Sequence, residues 1–173
     1  MKVCILAPGP SMSQGLANSL RSEICIVVNN CYQLAPWADS LAAQDHAWWR
    51  AHPDALQFAG RKFSANRITG VEQVFSDYVG RPSSSGVLAL EVARRRLLQG
   101  RAIEPGDDIE LHGFDNRGTH YFGPHPEPLR NTSTERFKVF EQQLSALGAQ
   151  MVKTGVRIVN KTPGSALRCF PFA

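Results

Sequence analysis

At 173 residues, with 43% hydrophobic and 20% charged residues and no low-complexity tract, the chain has the composition of one ordinary globular domain able to bury a core, which excludes the disordered and fibrous classes. Nineteen Lys and Arg against fifteen Asp and Glu give a formal charge of +4 and a pI near 9.1, a mild excess that suits a phosphorylated ligand without demanding one. Only about five apolar residues precede Pro8, too few for a secretory signal or a membrane span, so a cytoplasmic protein with no membrane partner is expected. Cys4, Cys25, Cys31 and Cys169 form no C-x-x-C pair and read as reduced, mostly buried thiols.

The first element is Lys2–Leu6, a continuous apolar run of strand length that breaks at Ala7-Pro8-Gly9-Pro10-Ser11 and leads into a short helix over residues 12–20. A tight loop between strand and helix can turn backbone N–H groups toward an anion, and Gly9 admits close approach, although P-G-P is equally an ordinary turn. A second buried strand, Ile24–Val28, ends at Asn29-Asn30, whose amides either pair with a base or ribose or simply make a turn. A third run, residues 40–43, ends in Gln44-Asp45-His46, where Asp45 reads first as the cap of a helix carrying Trp48 and Trp49. Residues 50–80 offer short candidate strands at 56–58 and 71–75 and no chemistry.

Arg81-Pro82-Ser83-Ser84-Ser85-Gly86 then sets small hydroxyl residues before a helix over 87–98, in which Leu88 and Val92, and Ala89, Ala93 and Leu97, recur at helical spacing. Its start is either a phosphate cradle built on Ser84, Ser85 and Gly86 or an ordinary Ser cap. Arg94-Arg95-Arg96 reads as a solvated face, since no aromatic residues interleave with it, and nucleic acid is disfavoured as a partner. Residues 109–126, reading I-E-L-H-G-F-D-N-R-G-T-H-Y-F-G-P-H-P, hold the densest chemistry: a strand over 109–115 opens into a Gly- and Pro-rich loop with Arg117, His120, Tyr121 and His125. Ligands of open α/β sheets bind at such strand ends. Thr132-Ser133-Thr134-Glu135 reads as a capping box for a helix with Phe137, Phe140, Leu144 and Leu147 on one face and Gly148 as its stop, and a last strand spans 156–160. The alternation predicts a single α/β domain over 1–173, a Rossmann-like, mostly parallel sheet with helices on both faces and a short lid-like loop at 116–133.

The order of G-P-S after the first strand, Asn after the second, S-S-G-V opening a helix and a strand running into G-F-D resembles the bacterial lipooligosaccharide sialyltransferases and relatives such as the archaeal 6-hydroxymethylpterin diphosphokinase family. The H-x-x-G-x-H-P loop and the S-A-L-x-C-F-P ending are similar to small uncharacterised proteins of tailed phages and prophages, which implies the cytoplasm of a bacterial host. The resemblance implies a nucleotide-binding, phage-type glycosyltransferase of sialyltransferase-like fold that takes a CMP-type sugar donor as substrate and needs no cofactor. Gly9, Pro10 and Ser11 would form the first nucleotide loop, Asn29 would meet the base or ribose, and Ser84, Ser85, Gly86 and Asp115 would surround the phosphate. Tyr121 would support the leaving phosphate and His125 would be the general base, with His120 as its neighbour and Arg117 offsetting charge. Pro8 departs from the family's G-N-G-P-S loop and removes one backbone donor, and only about eighteen residues separate Asp115 from the capping box.

No D-x-D pair marks a sugar-nucleotide metal and no standard zinc spacing is present, so no bound metal is expected, although His112, His120, His125 and Asp115 together could hold zinc. The alternatives are a nucleotide-dependent diphosphokinase-like phosphotransferase, for which Asp45 and Asp115 are the only candidate cation ligands, and a non-catalytic ligand-binding phage accessory protein. Whether the chain is an enzyme stays open at this point, as does its oligomeric state.

Overall fold

Strands that are apolar on both faces have to be covered on both, and β1 (Lys2–Leu6) and β2 (Ile24–Val28) meet that requirement in the interior of one sheet. The structure, a computed structural model, describes residues 1–95, 104–127 and 129–173. β1 and β2 join β3 (Ser40–Ala42), β4 (Arg61–Ser64), β5 (Glu72–Gln73), β6 (Asp108–His112) and β7 (Arg157–Asn160) in a 7-stranded sheet of order β5-β4-β3-β2-β1-β6-β7. Every pairing is parallel. The fold is therefore α/β and Rossmann-like, as the alternation predicts.

Parallel neighbours cannot be joined by hairpins, so the connections cross over and carry helices onto the faces. Val3 and Ile5 of β1 pack with α3 (Ser85–Arg94) and α4 (Thr134–Lys153), while Cys4 and Leu6 point the other way, toward α1 (Gln14–Ser19) and α2 (His46–Ala51). α3 lies between the sheet and α4 and is buried nearly all round, which leaves Glu91 fully buried. Arg95 is exposed, as a solvated face requires, whereas Arg94 is half-buried, and both ion-pair with the buried Glu91 and the exposed Asp77. Arg96, Leu97 and Leu98 lie outside the described residues.

Several predicted boundaries shift. The first helix begins at Gln14, capped by Ser13, whose hydroxyl accepts from the Leu16 amide. Residues 56–58 are not a strand but the end of a 3₁₀ turn, Pro53–Gln57, set by Pro53 at its first position. The strand of this region is β4, whose outer end begins with the polar Arg61 and Lys62, and β5 keeps only two residues of the run 71–75. The sixth strand stops at His112 because Gly113 adopts φ +71°, which turns the chain before Asp115. α4 does not stop at Gly148 but continues to Lys153; Gly148 is instead where the Phe170 ring presses on the helix, and the left-handed residue that ends it is Gly155. Ser133 is its cap, so Glu135 sits one position short of a capping box. No described helix is long and apolar enough to cross a membrane.

Candidate functional site

The chain grows outward from β1 through β5 on one flank and then returns to place β6 and β7 on the other, so its direction reverses between β1 and β6. Crevices beyond the carboxyl ends of strands form at such reversals. Here a cleft of about 640 Å³ opens there, walled by the loops after β1, β2, β3 and β6, the start of α3 and the first turns of α4. Of the residues singled out from sequence, Gly9, Asn29, Ser84, Ser85, Gly86, Asp115, Arg117, His120 and His125 line it, and Pro10, Ser11 and Tyr121 do not.

Several of the lining groups are already engaged in holding the loops. The Asp115 carboxylate, buried, accepts the Ser11 hydroxyl at 2.7 Å and the Ser11 amide at 3.2 Å, tying the loop after β6 to the loop after β1. A Cβ at Gly9 would overlap that carboxylate and the Gly113 carbonyl, so the glycine answers the close approach of two loops. The β6 loop is held from behind as well. Thr162 Oγ1 accepts the Phe114 amide at 2.9 Å, Ser165 donates to the Phe114 carbonyl at 2.5 Å, and the Ala166 amide donates to the Asp115 carbonyl at 2.8 Å. Ser84 caps α3 by accepting the Val87 amide, and buried Ser85 accepts the Gln44 amide at 2.9 Å. Gly86 leaves room for the Phe114 ring. Tyr121 anchors the lid through its amide, 2.8 Å from the Pro8 carbonyl, while its side chain stays exposed against Phe122.

What remains free defines the chemistry. Asn29 Oδ1 and Ser83 Oγ, both on the cleft wall, are buried without any hydrogen-bond partner. Such oxygens cost roughly 1–3 kcal/mol each when left unpaired, so a site that keeps two of them is suited to a ligand that pairs them. Asn29 is held in the left-handed region at φ +47°, one that Asn tolerates better than most residues. Among the described residues the Ser85 and Gly86 amides, first in α3, have no acceptor, and Arg117, Arg130 and Arg136 also line the cleft. Arg136 reaches the Ser83 carbonyl at 3.5 Å and lies over the Phe140 ring, which puts a guanidinium beside the helix start.

The lid supplies the titrating groups. His120 and His125 meet edge to face with centroids 4.2 Å apart, and the His125 amide donates to Asn131 Oδ1. Burial, and then the neighbouring His125, push His120 down to about 4; burial and His52 lower His125, while Asp45 pulls it back up. Both rings are neutral at pH 7. Asp45 is the residue that sequence reading misplaced: it precedes α2 but makes no side-chain cap, and it stands at the cleft, where loss of water raises its pKa against Arg136, Arg81 and His125. Ser83 was within reach of the sequence, since the first hydroxyl of the Ser run has no capping duty once Ser84 is the cap. The lesser alternative of a zinc set is divided, since His112 lies on the sheet face that carries Cys4 and points away from the cleft, as its place before Gly113 suggests. Trp48 and Trp49 are both buried, bonded to Asn30 Oδ1 and the Ala43 carbonyl at 2.8 Å each.

The arrangement can bind a small anionic ligand at the α3 start, with the His125 imidazole and the Asp45 carboxylate among the other groups of the same cleft wall. Compared with known proteins, the chain matches no family model and no curated sequence.

Proposed function

We propose that the cleft binds a pyrimidine nucleotide and moves the sugar of a CMP-type donor to an acceptor hydroxyl, with His125 as general base. The observation that carries this reading is the pair of unpartnered oxygens, Asn29 Oδ1 and Ser83 Oγ, set in one cleft with the free amides of α3. Asn29 accepts from a ribose hydroxyl or base amino group, and Ser83 donates to a phosphate oxygen beside the helix start. His125, held by Asn131 and faced by Asp45, removes the acceptor proton as the new C–O bond forms at the sugar. The bond to the phosphate breaks, and Arg136 with the Ser85 and Gly86 amides offsets the charge of the departing CMP. The step requires no metal.

Calorimetry and thermal shift with CMP in metal-free buffer test the reading, alongside ATP with magnesium. CMP is expected to bind and raise the Tm, with affinity at least tenfold weaker in Ser83→Ala and in Asn29→Asp. Because Ser83→Ala deletes a polar atom that the folded chain leaves unpaired, its stability without ligand should stay within about 0.5 kcal/mol of the parent or exceed it. Binding of ATP with magnesium alone, or of neither nucleotide, would dismiss the transferase reading.

A further inference from the structure

We propose that Cys4, Glu110 and His112 form a binding site for a zinc-class divalent cation, on the face of the sheet opposite α3 and α4 and separate from the nucleotide cleft. Side chains two apart on a strand share a face, and the register of β1 with β6 sets Cys4 beside Glu110 and Leu6 beside His112. One thiol, one carboxylate and one imidazole therefore converge from adjacent strands. Each offers a ligand atom within 4.8 Å of the other two, the sole such trio of His, Cys, Asp or Glu among the described residues.

The spacing fits an ion. Zn–S of about 2.3 Å and Zn–N or Zn–O of about 2.0–2.2 Å, at tetrahedral angles, put ligand atoms about 3.3–3.7 Å apart. Here His112 Nε2 lies 3.3 Å from Glu110 Oε2, and Cys4 Sγ lies 3.9 Å from the same oxygen. Cys4 and His112 are buried, and Glu110, at 16% side-chain exposure, is the most open of the three.

The three side chains together supply the donor atoms of a mixed site. Lys161 approaches the other carboxylate oxygen, Oε1, at 3.8 Å and leaves Oε2 to the cluster. A mixed thiolate, imidazole and carboxylate set selects a borderline-soft ion such as Zn²⁺ over Mg²⁺ or Ca²⁺. Such an ion would clamp β6 to β1 one residue before the Gly113 turn that feeds the cleft.

Cobalt(II), as a spectroscopic substitute for zinc, tests the site in the full chain purified without a histidine tag and under reducing conditions. One equivalent is expected to bind with the visible bands of tetrahedral cobalt and a thiolate-to-cobalt charge-transfer band, and zinc should displace it. Cys4→Ser should abolish the charge-transfer band, and Glu110→Gln, altering the partly open ligand and so sparing the fold, should weaken affinity at least tenfold. No cobalt binding, binding without the thiolate band, or affinity unchanged in Glu110→Gln would each overturn the assignment, whether or not Cys4→Ser folds.

Discussion

At the scale of single residues, His125 and His120 share a loop and a ring contact but carry different predictions. His125 is the one coupled to Asp45, so His125→Ala is expected to leave CMP affinity within about twofold while turnover of a CMP-sugar donor falls by roughly 10²–10⁴, the usual cost of a lost general base. The rate of the parent should decline as pH drops through an imidazole pKa lying below 6.5, measured as kcat against pH. Near-normal turnover in His125→Ala would remove it from the chemistry. His120 bears on stability instead. Its folded pKa, about 4, lies below the ordinary 6.5, so the unfolded chain binds the extra proton between those values. Its contribution is complete above about pH 6.5 and is lost as pH falls toward about 4, so the Tm should drop across that window. In His120→Gln the drop should be visibly shallower; an unchanged slope would show that other groups control it.

At the scale of elements, α4 shows why a residue's usual meaning can mislead. Glycine commonly ends helices, yet Gly148 lies inside this one because the Phe170 ring occupies the space of its missing side chain. Gly148→Ala would gain about 1 kcal/mol of helix propensity but drive a Cβ into that ring, and overpacking of this kind costs about 1–3 kcal/mol. Net destabilisation is expected, read as a lower denaturant midpoint, and a raised midpoint would show that Phe170 moves aside freely. The elements legible from sequence were those whose signals are local and strong: the doubly covered runs of β1 and β2, the serine start of α3 and the long stripe of α4. What escaped depends on partners far away in the chain. β4 opens with Arg61 and Lys62, which look like loop residues until β3 is beside them, and Leu56 and Phe58 sit around a 3₁₀ turn that their apolar character disguises as a strand. In the cleft, the loops were legible as loops. Which of their polar groups were free was not, because Ser85, Ser11 and Asp115 are occupied by bonds to residues 41 or 104 positions away.

At the scale of the whole molecule, the sheet is held on both flanks but the cleft is finished from one. The loop of Gly113 to Asp115 depends on Thr162, Ser165 and Ala166, which follow the last strand. Thr162→Val keeps the shape of a buried side chain and removes the acceptor of the Phe114 amide, so a loss of about 1–3 kcal/mol is expected, together with faster hydrogen exchange at Phe114. Unchanged exchange there would mean that the loop stands without its backing. The same dependence sets an order of events during synthesis. Although the face that packs on α3 and α4 is covered only once those helices are made, the pairing of β1 through β5 can form as the chain leaves the ribosome. The ligand site cannot, since a nascent chain that has emerged only as far as residue 161 owns every residue of the cleft wall yet lacks the three that keep one loop in place. Chains truncated at residue 161 should therefore pair β1 through β5 yet fail to bind CMP, whereas chains extended through Ala166 should bind it.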